Sequence, residues 1–184
     1  MALTYSPSAQ MAFVCPDFQL PSVDGRSFCR QDFAEKPLVV MFLCGHCPYV
    51  QAIEDRLIRL AHDFSARGVG FVAICSNDPS DHPEDKPEAL HERWQKKNYN
   101  FPYLIDAQQD VARAFQAVCT PDLYLFDSEH LLRYRGRLDD SWRTPQGVHR
   151  QELREALESL IAGREIDPQQ NPSMGCSIKW KGQK

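Results

Sequence analysis

The sequence predicts an α/β fold, in which a central mixed β-sheet is flanked by helices. The apolar run 38–43 is typical of a strand buried on both faces, and apolar positions three or four residues apart follow it, as in a helix. A second apolar run, 69–75, completes a strand–helix–strand unit and therefore a parallel pair. The strand–turn–strand pattern over 123–135 predicts an antiparallel hairpin, and an amphipathic helix closes the chain.

Turn residues and shorter apolar runs predict the remaining elements. Asp24-Gly25 is a hairpin signal within the N-terminal segment 13–33, and Gly68 is a natural end for the first helix. Further helices are expected at 89–97, 111–115 and 151–162, and a short strand at 103–105. The acidic, proline-rich segment 77–87 is expected to be a surface loop near the carboxyl ends of the strands.

The chain is long enough for one domain with a sizeable core, and no repeat or second domain is visible. We expect a single domain over 1–184, with a core at about 13–163 and a C-terminal tail at 164–184. The tail lacks helical periodicity, yet Cys176, Ile178 and Trp180 alternate with other residues. This alternation predicts a short extended segment with one apolar face, docked back on its own domain.

Composition narrows the choice of partners and location. The net charge of −4 does not favour a nucleic-acid surface. No apolar run approaches the roughly 18 residues needed to span a membrane, so neither nucleic acid nor membrane is an expected partner. The start of the chain lacks the basic and apolar regions of a signal peptide, and this predicts a cytoplasmic protein whose thiols are kept reduced.

The chemistry is concentrated in a Cys-x-x-Cys motif, Cys44-Gly45-His46-Cys47, where the buried strand ends and the helix begins. Unpaired backbone N–H groups and the helix dipole favour a thiolate there, and Pro48 suits the first helical turn. The motif could be half of a zinc site, a redox dithiol or a chance pair. Structural zinc needs four ligands, and the other cysteines and histidines are scattered. A redox dithiol without metal or cofactor is therefore expected.

Four segments carry a resemblance to a known family: Pro16–Gly25, Cys44–Val50, Phe101–Asp106 and Thr120–Asp127. Together they cover roughly residues 13–140. The chain resembles thioredoxin-like proteins of the redoxin, or AhpC/TSA, branch, which includes peroxiredoxins and TlpA-type thioredoxins. The resemblance implies a thioredoxin-like fold with an N-terminal redoxin extension.

The resemblance also implies roles for the dithiol. Cys44 would be the exposed nucleophile and Cys47 the buried resolving thiol of a thiol–disulfide oxidoreductase. Its partners would be protein or small-molecule disulfides and a reductase or thiol donor. His46, part of the Gly-His dipeptide found in protein disulfide isomerases, would tune the couple, and the pKa of Cys44 is expected below about 8.5. The run 38–43 lacks the buried carboxylate usual in thioredoxins, which leaves proton transfer to water or His46.

Two further regions belong to the predicted site. Thr120-Pro121 matches the cis-proline loop of the thioredoxin fold, which faces the dithiol and binds substrate backbone as an added strand. Cys119 and Cys176 are either packed thiols or additional redox participants. The remaining histidines are expected to be solvated and without a role: His62, His82, His91, His130 and His149.

Two alternative functions remain open from the sequence. In a peroxiredoxin-like thiol peroxidase with an antioxidant role, Cys47 would be the peroxidatic cysteine. Cys44 and Met41 then stand where that family has Thr and Pro, and this predicts slow reaction with peroxide. The third class is a non-enzymatic binding module, which the intact dithiol argues against.

Overall fold

The computed structural model describes residues 3–182, so the outermost two residues at each end of the expected domain lie outside the described residues. The described strands are β1 (Leu3–Tyr5), β2 (Gln19–Pro21), β3 (Ser27–Cys29), β4 (Leu38–Phe42), β5 (Gly70–Cys75), β6 (Tyr103–Ile105), β7 (Cys119–Thr120), β8 (Asp122–Phe126), β9 (Leu132–Gly136) and β10 (Met174–Ser177). The described α-helices are α1 (Pro48–Ser65), α2 (Pro87–Lys97), α3 (Asp110–Ala114) and α4 (Glu152–Ile161).

A five-stranded mixed sheet in the order β6-β5-β4-β8-β9 forms the centre of the chain. β4, β5 and β6 are parallel, whereas β8 runs antiparallel to β4 and pairs with β9 as a hairpin. Every residue of β4, β5 and β8 is buried, as expected for strands covered on both faces. The predicted α/β class and mixed sheet are confirmed, and the predicted hairpin at Asp24-Gly25 joins β2 to β3.

Two hydrophobic clusters cover the two faces of this sheet. On one face, Val39 and Met41 of β4 share a cluster with apolar residues of α1, α2 and α4. On the other face, Val40 and Phe42 pack with residues of α3 and of the N-terminal segment. The alternation of neighbouring β4 residues between the clusters follows from the two-residue period of a strand.

The end of α1 is set by glycine. Gly68 has a φ of +86°, and its N–H donates to the carbonyl of Ser65. This left-handed conformation suits a residue without a Cβ and reverses the chain into β5. Within residues 3–182, no helix combines the length and apolar character that a membrane crossing requires.

The C-terminal tail is docked on the domain, as predicted. β10 lies between β1 and β7 in a small antiparallel sheet, with Cys176 opposite Thr120. Ile178 is buried in the cluster of the N-terminal face, and the guanidinium of Arg113 lies 4.5 Å from the ring centre of Trp180. The apolar side chains of the alternating stretch thus gain burial that a free tail would not have.

Two predictions about surface residues need correction. The expected surface loop 77–87 does lie at the surface for most of its length, but Asn77 and Asp85 are buried because they bind each other and neighbouring polar groups. His130 is also buried rather than solvated, with its Nε2 atom 3.0 Å from the carbonyl oxygen of Phe33. In each case a hydrogen bond replaces the lost contact with water.

Candidate active site

The dithiol lies in the short connection between β4 and α1. The N–H of Leu43 donates to the carbonyl of Ile74, which continues the parallel pairing to the edge of the motif. Cys47 is the N-cap of α1, and Pro48 is its first residue. The side-chain amide of Gln51 donates a hydrogen bond of 2.8 Å to the carbonyl of Gly45. The sequence prediction of a strand end and helix start around the two cysteines is confirmed.

Thr120 contacts both thiols of the motif. Its hydroxyl oxygen lies 3.0 Å from the Sγ atom of Cys44, and its carbonyl oxygen lies 3.2 Å from the Sγ atom of Cys47. The Thr120–Pro121 bond is cis, as predicted, and the loop faces the dithiol. Cys119 is buried, and its thiol donates to the Pro121 carbonyl at 3.7 Å, which is a packing arrangement.

A third thiol, that of Cys176, completes the sulfur cluster. The Sγ atoms of Cys47 and Cys176 are 3.1 Å apart, although the two residues are 129 positions apart in sequence. The pairing of β10 with β7 brings Cys176 to this point. Of the two additional redox candidates, the structure therefore joins Cys176 to the dithiol.

A buried carboxylate, that of Asp85, organises the backbone of the motif. It accepts hydrogen bonds from the N–H groups of Gly45 and His46, at 2.7 and 3.1 Å, and from the amide of Asn77 at 2.8 Å. Burial raises the pKa of Asp85, but the hydrogen bonds from His46 and Asn77 outweigh it and hold that pKa below the usual range. Asp85 is therefore an anion fixed directly against the motif.

His46 is held by Asp85 and His82. Its Nδ1 atom donates to Asp85 at 2.7 Å, because an ionised carboxylate can only accept. The rings of His46 and His82 are stacked 3.8 Å apart at 7°, so His82, expected from the sequence to be solvated, is half-buried against the motif. With a side chain only 4% exposed, His46 is a fixed part of the site rather than a free loop residue.

The pKa of Cys44 is shifted in the opposite direction to the sequence prediction. Burial, the hydrogen bond with Cys47 and the negative charge of Asp85 raise the pKa of Cys44. The pKa of Cys47 is lowered, first by the hydrogen bond from Cys44 and then by Cys176 and the backbone N–H of Val50 at the helix start. The expected low pKa of Cys44 is therefore wrong, and Cys47 is the thiol that ionises more readily.

The exposure expected for Cys44 is also wrong. Cys44 is 1% exposed and Cys47 is fully buried. The backbone edge at Thr120, predicted to pair with substrate, is paired with β10 instead. The sequence could not reveal this arrangement because the tail is remote from the motif along the chain.

An open groove begins at the cis-proline. It has a volume of about 330 Å³, and its lining includes Pro121, Tyr49, Trp142 and Met174. The rings of Tyr49 and Trp142 lie 4.4 Å apart and form an aromatic wall. Two of the lining residues, Tyr49 and Pro121, are sequence neighbours of the Cys47-Pro48 pair and of Thr120, although neither cysteine of the motif lines the groove.

Three potential metal ligands converge in this region. Ligand atoms of Cys44, His46 and Asp85 lie within 4.8 Å of one another. The Asp85 oxygens already accept hydrogen bonds from Gly45, His46 and Asn77, so they are satisfied without an ion. A closed structural zinc site would need a fourth ligand, and no larger ligand group occurs in the part of the chain that the structure describes.

Comparison with known proteins gives three findings. Residues 13–135 match the model of the AhpC/TSA family. An uncharacterized conserved protein from Geobacillus kaustophilus is 42% identical, with a TM-score of 0.94 over all of this chain and 99% of its own. The methylamine utilization protein MauD of Paracoccus versutus is 28% identical over 149 residues, which are 80% of this chain and 62% of the relative.

A fourth comparison concerns the fold alone. A secreted disulfide oxidoreductase of Mycobacterium tuberculosis superimposes with a TM-score of 0.61 and 21% identity, over 78% of this chain and 96% of its own. The predicted thioredoxin-like fold is confirmed by this similarity. This chain spans less than two thirds of the length of the curated relative MauD.

Proposed function

This chain belongs to the AhpC/TSA family, and we propose that it is a thiol–disulfide oxidoreductase whose redox couple is Cys44–Cys47. The observation that carries the proposal is the position of this pair at the start of α1, where one hydrogen-bonded thiol supports a thiolate on the other. A thiolate in an exchange-competent pair is the species that attacks a disulfide. The finer assignment of roles below is part of the same proposal.

In the first step, Cys44 attacks the substrate disulfide. Its proton passes to the Cys47 thiolate as the new S–S bond forms, so the negative charge moves to the departing substrate sulfur. One substrate sulfur remains bound to Cys44 and the other leaves as a thiolate, which takes the proton from Cys47. The hydroxyl of Thr120, 3.0 Å from the Cys44 sulfur, is placed to donate to the charge that develops there.

In the second step, the Cys47 thiolate attacks the Cys44 sulfur. The bond between Cys44 and the substrate breaks, the second substrate sulfur leaves as a thiolate, and the Cys44–Cys47 disulfide forms. The substrate has gained two electrons and the protein has lost them. A reductase or thiol donor must return them by the reverse exchange.

The groove beside Pro121 is the proposed route for the substrate. Both sulfurs are buried and β10 covers the pairing edge at Thr120, so small or flexible disulfides have easier access than folded proteins. The aromatic wall of Tyr49 and Trp142 would hold the apolar part of such a molecule. The binding role of Thr120 and Pro121 and the cytoplasmic location stay predictions.

Peroxide reduction at Cys47 is the second candidate function. The lowered pKa of Cys47 favours it, because a peroxidatic cysteine must be a thiolate. The hydroxyl of Thr120, however, contacts Cys44 rather than Cys47. Cys47 instead faces the Thr120 carbonyl, which cannot donate a hydrogen bond to a bound peroxide.

We expect the protein to reduce hydroxyethyl disulfide with dithiothreitol as electron donor, and to do so faster than it reduces hydrogen peroxide at equal concentration. Cys44→Ser should lose most of the disulfide activity, because the thiol that attacks the substrate is then absent. Cys29→Ser, which alters a thiol on the separate β2–β3 hairpin, is the matched control and should retain it. Full activity in Cys44→Ser would remove Cys44 from the mechanism, and faster peroxide turnover would favour the peroxidase.

A further inference from the structure

The C-terminal strand is attached to the active site at several points. Cys176 of β10 lies opposite Thr120, and beyond the strand the N–H of Ile178 donates to the carbonyl of Val118 at 2.9 Å. The N–H of Lys179 donates to the Asn77 side chain, the same side chain that holds Asp85. The strand is therefore tied both to the cis-proline loop and to the hydrogen-bond network of the motif.

Gly175 makes this close approach possible. A Cβ atom added at this position would lie 1.9 Å from the Thr120 carbonyl oxygen and 2.9 Å from Pro121. Any side chain there would force β10 away from the loop. The next residue, Cys176, is therefore held against the dithiol and is only 2% exposed.

The geometry at Cys47 is that of one sulfur between two possible partners. Its Sγ atom lies 3.1 Å from that of Cys176, about 1 Å longer than a disulfide bond. Cys44 and Cys176 both interact with it by hydrogen bonding, so two thiols face the same sulfur. A sulfur in contact with two thiols can exchange a disulfide between them.

We propose that Cys176 is a third redox thiol, which forms a Cys47–Cys176 disulfide as an alternative to Cys44–Cys47. This inference rests on the proposed function, because it requires an oxidised Cys47. Cys176 loses its proton as its sulfur attacks the Cys47 sulfur of the Cys44–Cys47 disulfide, the Cys47–Cys176 bond forms, and Cys44 leaves as a thiolate. No electrons are gained or lost overall, and the Cys176 proton passes to the released Cys44.

The exchange has a consequence for turnover. It returns Cys44 to the reduced form while the protein still holds its oxidising equivalent in Cys47–Cys176. It also links β10 covalently to the start of α1, which fixes the docked tail over the dithiol. The oxidised protein would thus be divided between two forms, one with the Cys44–Cys47 disulfide and one with the Cys47–Cys176 disulfide.

The test is disulfide mapping after oxidation with one equivalent of 4,4′-dithiodipyridine, a small disulfide. Trypsin places both motif cysteines in the peptide 31–56 and Cys176 in the peptide 165–179, so the two disulfides give different products. In Cys44→Ser we expect the two peptides to become linked, with loss of the pyridine adduct. In Cys44→Ser/Cys176→Ser the adduct should persist on Cys47, and Cys29→Ser should map like the wild type.

The outcomes separate the inference from the proposed function. If Cys44→Ser keeps the adduct without linking the peptides, while Cys176→Ser closes Cys44–Cys47, the third-thiol role is wrong and the proposed function stands. If no variant and no wild-type sample forms either disulfide, both are wrong. Peptide mapping of acid-quenched wild-type protein tests the inference without any substitution. A disulfide between the peptides 31–56 and 165–179 supports the inference, and the absence of this link at full oxidation overturns it.

Discussion

Cys47→Ser is expected to trap a stable mixed disulfide between Cys44 and its substrate, and to lower multiple turnover by about 10⁴-fold or more, the scale seen when one member of a catalytic unit is removed. The first step becomes slower, because the Cys47 thiolate no longer takes the Cys44 proton, and the second step stops, because the serine oxygen cannot attack the Cys44 sulfur. The adduct therefore forms slowly and then persists. The adduct is measured by intact mass after incubation with hydroxyethyl disulfide, and its position by peptide mapping.

The matched variants make this prediction specific. Cys44→Ser should give no adduct that persists, because Cys176 can displace a molecule bound to Cys47. Cys29→Ser should turn over like the wild type. A persistent adduct on Cys47 in the wild type, or none on Cys44 in Cys47→Ser, would reverse the assigned order of the two thiols.

Asp85→Ala is expected to destabilise the protein by about 3–5 kcal/mol, the cost of removing one partner from a buried polar pair. The substitution leaves the N–H groups of Gly45 and His46, the imidazole of His46 and the amide of Asn77 without their acceptor. Chemical unfolding measures the difference. Asp81→Ala removes an exposed carboxylate from the same loop and should change stability by no more than about 0.5 kcal/mol.

The stability that Asp85 contributes should decrease as the pH falls. Because the folded-state pKa of Asp85 is below its ordinary value of about 3.9, its contribution is complete above that value and is lost as the pH falls through the folded pKa. The stability difference between wild type and Asp85→Ala should therefore narrow in acid. A difference that is constant down to strongly acidic pH would mean that the carboxylate charge does not stabilise the fold.

The fold was largely predictable because its signals are local. Buried strands leave continuous apolar runs, α1 leaves a helical period, and its end leaves Gly68. The position of the dithiol followed from the same signals, since the motif lies between a strand and a helix. The family resemblance added Thr120-Pro121, which the structure places against both thiols.

The site's electrostatics were not predictable because they depend on distant residues. Asp85 reaches Gly45 from 40 positions away, and Cys176 reaches Cys47 from 129 positions away. The acidic loop at the carboxyl ends of the strands was the available signal for Asp85, but charge in a loop usually indicates contact with water. Nothing in the tail indicated that β10 would cover Thr120, because strand pairing partners are set by tertiary packing.

The claim that Cys44 and Cys47 form a redox couple is tested most directly by redox equilibration of Cys176→Ser in glutathione buffers. In this variant Cys176 can no longer compete with Cys44 for Cys47. Acid-quenched samples are mapped for a disulfide within the peptide 31–56. We expect one reversible two-electron transition between about −270 and −180 mV, the range from thioredoxin to protein disulfide isomerase. If Cys44 and Cys47 remain thiols in the most oxidising buffer, or form adducts with glutathione and no bond to each other, they are not a redox couple.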